Sequence, residues 1–232
     1  MPNAQRILAV FAKWPAPGRV KTRLGAATSP EFAAQVADAF LDDTLDRWSN
    51  YRATRVLAYT PPTEKNSFTI RVRKQWHLTP QSEGGLGPRM RDFFAAQHAS
   101  APQSPVVLIG TDSPTLPIEY MDQAFAALAD FDVVLGPATD GGFYLVGGTA
   151  AMPLDIFDIE YGRSDVLLET IARIPPATKV HILPPWYDVD TLDDWRMLCG
   201  HIAAMRRAGV DPMTPRVERL MKDEERRTKN EE

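Results

Sequence analysis

The chain has a single cysteine, Cys199, so no internal disulfide can form and the fold must be held by its core alone. Its four histidines, His77, His98, His181 and His201, are scattered without the spacing of a metal site. No Ser/His/Asp or Cys/His arrangement stands out, which argues against a covalent nucleophilic mechanism. No apolar run approaches the ~20 residues that span a bilayer. The N-terminal apolar stretch, residues 7–12, is cut short by Lys13 and has no small-residue cleavage site, so it does not read as a secretory signal. The expectation is a soluble cytoplasmic protein. Neither a GxxxxGK[ST] phosphate loop nor a GxGxxG dinucleotide fingerprint is present.

One further absence is local. Residues 1–30 contain no acid but five basic groups, Arg6, Lys13, Arg19, Lys21 and Arg23, on a chain whose net charge is −4. An acidic balance elsewhere excludes a general nucleic-acid binder. A basic loop on an acidic protein suggests a small anionic ligand instead.

What is present is ordinary for a globular domain: 232 residues, 44% of them hydrophobic. A chain of this size buries roughly 70% of its unfolded surface. Apolar runs at 6–12, 54–60 and 105–109 read as buried strands, with further extended segments at 70–78, 132–135, 143–146, 179–183 and 186–189. Helices are expected from Ser29 to about Trp48, with Ser29 as N-cap and Pro30 at the first position, and at 88–98, 118–129, 163–173 and 191–207. The last carries Leu192, Trp195, Leu198, Cys199 and Ile202 on one stripe. Alternating strands and helices predict an α/β fold, an open and mostly parallel sheet with helices on both faces. One domain is expected over residues 1–210, followed by a charged C-terminal tail at 211–232, in which a solvated helix or frayed end is the natural reading.

Five segments carry candidate chemistry. Residues 13–24 (KWPAPGRVKTRL) follow the first strand, where open α/β sheets bind their ligands. Lysine supplies a point charge and arginine a planar fork, so this loop suits a di- or triphosphate. Residues 110–114 (GTDSP) end the third buried strand, and a carboxylate there, Asp112, suits Mg²⁺ or equally a plain turn. In residues 188–194 (DVDTLDD) Thr191 and Asp194 have the spacing of a helix-capping pair. That reading accounts for Asp193 and Asp194 but leaves Asp188 and Asp190 over, and Asp190 is the better metal candidate. Residues 136–144 (GPATDGGFY) allow close backbone approach to a ligand, or simply a tight turn between strands. Residues 84–90 (GGLGPRM) place a glycine loop at a helix start, whose amides could face an anion or a base.

Taken in order, KxPxPGxVKTRL, GTDSPTLP, GPATDGGFYLVG, YGRSDVLLET and DVDTLDDW resemble a bacterial glycosyltransferase-like family (DUF2064-like) of GT-A fold. It belongs to the nucleotide-diphospho-sugar transferase superfamily and is related to the 2-phospholactate guanylyltransferases. The resemblance covers about residues 6–200. It implies a Rossmann-like mixed sheet with a nucleotide pocket and a divalent cofactor, Mg²⁺ or Mn²⁺, held by Asp112 and Asp190. It maps Lys13, Pro17, Gly18, Lys21, Thr22 and Arg23 onto the phosphate-binding loop, with Gly87 as a further nucleotide contact. Asp140, Gly141 and Gly142 fall on the acceptor loop. Lys21, Arg23 and Asp112 are the catalytic candidates.

The function so implied is metal-dependent transfer from a nucleotide donor to a small-molecule acceptor, with no nucleic-acid or membrane partner. Two versions stand level: nucleotidyl transfer from a nucleoside triphosphate, and glycosyl transfer from a nucleotide sugar. The non-enzymatic alternative is a nucleotide-binding or regulatory module that kept the fold and lost turnover.

Overall fold

The computed structural model describes residues 5–72 and 75–231. Its residues group into two compact units. One comprises the segments up to Ala12, Tyr51–Gly110 and Leu116–Tyr187; the other comprises Lys13–Asn50, Thr111–Thr115 and the chain from Asp188 onward.

The first unit is built on a seven-stranded sheet. β1 (Ile7–Lys13) begins the chain's regular structure, and in the second unit α1 (Thr22–Ala27) and α2 (Pro30–Arg47) follow. β2 (Thr54–Thr60), α3 (Lys65–Arg71), β3 (Trp76–Pro80), α4 (Leu86–Ser100), β4 (Val106–Ile109), α5 (Ile118–Ala127), β5 (Val133–Pro137), β6 (Phe143–Gly148), α6 (Val166–Arg173) and β7 (Val180–Ile182) complete the first unit. The strand order is β3-β2-β1-β4-β6-β5-β7. β1 pairs in parallel with β4, from Ile7 opposite Val106 to Val10 opposite Ile109. β2 pairs in parallel with β3, and β5 with β7. β6 runs antiparallel to both of its neighbours, β4 and β5. This is the mostly parallel, open α/β sheet expected from the sequence.

Position in the sheet follows from composition. β1 and β4 are near-continuous apolar runs, the pattern of strands covered on both faces. Leu8, Ala9, Val10, Val106 and Val107 are accordingly fully buried. β7, at the edge, is short and leaves Ile182 exposed. The core around the sheet is aromatic on one side of α4, where Phe94 stacks on Phe157 at 5.5 Å and Phe93 meets Phe11 edge-on at 5.4 Å.

Two expected extended segments differ. The stretch expected as an edge strand from residue 70 is helical as far as Arg71, and the edge strand starts at Trp76. Residues 73 and 74 lie outside the described residues. Residues 186–189 form no regular strand, only an isolated bridge between Ala138 and Trp186. Prolines 184 and 185 remove two consecutive amide donors there, so a ladder cannot continue.

The second unit is helical. Ser29 caps α2, its hydroxyl accepting the Phe32 amide at 3.1 Å. α7 (Leu192–Arg207) opens with the expected capping box: Thr191 Oγ1 accepts the Asp194 amide, and Asp194 accepts the Thr191 amide in return. On α7 Trp195, Leu198 and Ile202 are buried, whereas Cys199, expected on the same stripe, is only half-buried.

α8 (Pro215–Glu231) contains the charged C-terminal segment, and its first turn is anchored. The Asp43 carboxylate, fully buried on α2, accepts the backbone amides of Arg216 and Val217 at 3.1 Å each and faces the Arg216 guanidinium at 3.0 Å. A carboxylate at a helix N-terminus satisfies orphan amides and complements the dipole. Among the described residues, no helix is long and apolar enough to cross a membrane.

Candidate metal and phosphate site

The basic loop is shaped by turns before it becomes helical. Ala16 donates to the Trp14 carbonyl and Arg19 to that of Ala16, while Gly18 adopts φ 71°. α1 then starts inside the loop, at Thr22, a helix that its proline- and glycine-rich approach conceals. Buried Leu24 and the close packing of Gly25 against Ala33 fasten α1 to α2. Lys13, Pro17, Gly18, Thr22 and Arg23 remain exposed.

Lys21 points the other way. It sits immediately before α1 with φ 43° and ψ 48° and its side chain is 3% exposed. Its Nζ donates to Asp112 Oδ1 at 2.6 Å and to the Val189 carbonyl at 2.6 Å, and lies 3.7 Å from Asp190 Oδ1. The Phe40 ring lies 4.6 Å away. Arg23 Nη2 holds Asp190 Oδ2 at 2.7 Å from the solvent side. The four charged residues picked from three separate stretches of sequence thus converge within one compact unit.

Two further contacts fix the acids. The Val189 amide donates to the Asp112 carbonyl at 3.0 Å, joining the two acidic segments backbone to backbone. The Asp190 amide donates to Asp194 Oδ2 at 3.1 Å, so the capping box of α7 also orients Asp190. Burial, and next the negative charge of Asp112, push the Asp190 carboxyl up from its ordinary value, against the opposing pull of Lys21 and Arg23. The two carboxylates share the Lys21 ammonium as the cation between them.

The donor set suits a hard divalent ion. Among the described residues no group of three or more His, Cys, Asp or Glu side chains could hold a metal, and an ion on Asp112 and Asp190 would need its remaining ligands from elsewhere. That division is the usual one for Mg²⁺ at phosphate-transfer sites.

Other expected site residues belong to the first unit. Asp140 Oδ1 accepts the Gly142 amide at 2.8 Å, closing the turn between β5 and β6 on itself. Gly141 has φ 93°, and a Cβ there would fall 1.9 Å from the Ser164 carbonyl oxygen. Gly87, near the start of α4, leaves no room for a side chain either, since a Cβ would meet the Phe157 carbonyl oxygen at 2.2 Å. Packing accounts for these two glycines without a ligand. Near Gly87, however, Ser82 Oγ, Arg89 Nε and Tyr161 Oη are buried with no hydrogen-bond partner among the described residues.

Sequence reasoning missed the supports of the cluster. Phe40 is fully buried and packs against Trp195, with ring centroids 6.4 Å apart. Arg47, also buried, donates from Nε to the Pro114 carbonyl at 3.1 Å and from Nη2 to the Pro212 carbonyl, bracing the loop that carries Asp112. The available signal was Asp43 and Arg47, two charged residues one helical turn apart on the apolar face of α2.

Comparison with known proteins agrees with this architecture. Residues 44–163 match the family described as "uncharacterized protein conserved in bacteria (DUF2064)". A solved structure described as a candidate nucleotide-diphospho-sugar transferase from Desulfovibrio desulfuricans G20 is 30% identical, with a TM-score of 0.83 over 95% of this chain and 98% of that one. A 3-phospho-D-glycerate guanylyltransferase from Phenylobacterium zucineum (strain HLK1) is 31% identical over 136 residues, 57% of this chain and 62% of the length of that relative. Rv0371c from Mycobacterium tuberculosis H37Rv, solved in complex with manganese, shares the fold at 16% identity and a TM-score of 0.50, over 84% of this chain and 98% of that one.

Proposed function

Since the chain belongs to the bacterial family DUF2064, we propose that it is a divalent-metal-dependent nucleotidyltransferase, moving a nucleoside monophosphate from a nucleoside triphosphate to a small acceptor and releasing pyrophosphate. The observation that carries the reading is the convergence of Lys21 and Arg23 with Asp112 and Asp190. Two positive and two negative charges leave this cluster neutral, so a triphosphate meets no net attraction and two repelling carboxylates. A divalent ion on Asp112 and Asp190 resolves that conflict. When bound, Mg²⁺ or Mn²⁺ would supply phosphate-charge neutralisation and Lewis acidity.

The chain's own groups account for the rest. Lys21 and Arg23 stabilise the charge that develops on the departing pyrophosphate. The exposed loop residues Lys13, Gly18 and Thr22 admit the phosphate chain. No side chain need form a covalent bond to substrate. A phosphorylated small acid is the acceptor class suggested by the guanylyltransferase relative. Cytoplasmic substrates suit this reading.

Glycosyl transfer from a nucleotide sugar is the second reading, supported by the description of the Desulfovibrio desulfuricans structure. Product analysis separates the two. Incubation with Mg²⁺ or Mn²⁺, 3-phospho-D-glycerate as trial acceptor and, in turn, nucleoside triphosphates and nucleotide sugars should yield pyrophosphate, accompanied by nucleotide-dependent thermal stabilisation. Release of nucleoside diphosphate would select glycosyl transfer, and stabilisation by nucleotide without any product would leave the non-catalytic binding module.

A further inference from the structure

Lys21 differs from the rest of its loop. Arg23 is 63% exposed and Lys13 and Arg19 reach solvent, as groups awaiting an anion normally do, yet the Lys21 side chain is 3% exposed. Burying an ammonium is costly unless it is fully paired. Here the pairing is complete in kind: a carboxylate oxygen, a carbonyl oxygen and a second carboxylate surround its three donors. These are hard oxygen ligands, the class Mg²⁺ and Mn²⁺ also take. The backbone at Lys21 is left-handed, a conformation that side-chain-bearing residues disfavour, so the inward pose is held by its contacts.

We propose that the Lys21 ammonium is the resident counter-ion of the Asp112–Asp190 pair, and that the chain therefore takes its divalent metal together with a nucleotide and not before one. The proposal rests on the reading of Asp112 and Asp190 as metal ligands and adds an order to it. Lys21 Nζ already engages Asp112 Oδ1 at 2.6 Å, so a divalent ion on the same pair of carboxylates would stand against the ammonium's charge at close range. A free ion arriving alone meets that repulsion with nothing to draw the ammonium away. A metal–triphosphate complex brings the receiver with it, because phosphate oxygens form charge-assisted bonds to lysine as strong as those to carboxylate. Lys21 then moves from acid to phosphate, and the left-handed backbone is free to relax. Arg23, on the outer oxygen of Asp190, remains in place during the exchange.

The test titrates Mn²⁺ into the full chain and follows free Mn²⁺ by electron paramagnetic resonance, without nucleotide and with GTP or CTP in turn, each against a protein-free titration that subtracts the Mn²⁺ held by the nucleotide alone. Wild type should bind Mn²⁺ at least tenfold more tightly with nucleotide than without. Lys21→Met and Lys21→Gln should bind Mn²⁺ without nucleotide at least tenfold more tightly than wild type does, and adding Asp112→Asn to either should abolish the gain. Glutamine can still donate to the Val189 carbonyl, which guards against collapse, and circular dichroism checks the fold of both. Folded variants that bind free Mn²⁺ no more tightly than wild type overturn the proposal, as does a wild type indifferent to nucleotide. Absence of Mn²⁺ binding by every protein under every condition instead overturns the metal reading itself, and the proposal with it.

Discussion

Two clusters of charge in the helical unit use the same residue types to opposite ends. Around Asp43 the carboxylate is fully buried and its oxygens are spent on two helix amides and a guanidinium. Around Asp112 and Asp190 the carboxylates are 48% and 32% exposed and share one ammonium. The first cluster is closed, because a fixed helix start supplies every partner. The second is open, because its partner is a flexible side chain that another cation or anion can replace.

The largest effect that would break this contrast concerns the open cluster. Asp112→Asn should lower metal-dependent transfer about 10³-fold, equivalent to ~4 kcal/mol, with only a modest fall in melting temperature, since an asparagine oxygen still accepts from Lys21 and Asp190 still opposes its charge. Steady-state rates beside a thermal melt measure both, and a marked loss of stability would show that the cluster is structural after all.

In the closed cluster the balance reverses. Asp43→Ala leaves the Arg216 and Val217 amides without an acceptor and should cost about 2–3 kcal/mol of stability by denaturant titration. Burial raises the Asp43 carboxyl, outweighing the lowering by its hydrogen bonds to Val217 and Arg216. Folded Asp43 therefore binds a proton more readily than unfolded Asp43. Between the ordinary value of 3.8 and the raised one, its contribution to stability falls as pH rises, and Asp43→Asn should remove that slope.

The smallest effect sharpens the comparison. Arg23→Gln removes an ion pair whose arginine is 63% exposed, so stability should hardly change. Nucleotide affinity should fall about tenfold, ~1.4 kcal/mol, measurable by calorimetry.

The sequence made some of this legible and hid the rest for physical reasons. β1 and β4 announce themselves because a strand buried on both faces has no polar residue to spare. Thr191 and Asp194 are readable because capping is local in sequence. Lys21, Arg23, Asp112 and Asp190 stand out as charges beside turns and strand ends. What stayed hidden depends on tertiary approach. The inward turn of Lys21, the Phe40 ring beside it and the Arg47 brace on the Asp112 loop join residues up to 168 positions apart. The first turn of α8 was hidden likewise, since its acceptor lies on α2. Helix α1 was lost because six residues following a loop shaped by Pro15, Pro17 and Gly18 give too short a period to detect.

The most direct test of the account is anomalous diffraction from crystals grown with Mn²⁺ and a nucleoside triphosphate. The account predicts one manganese peak within coordination distance of both Asp112 and Asp190, with Lys21 Nζ moved onto phosphate. A bound nucleotide with manganese elsewhere, and Lys21 still on Asp112, would contradict it.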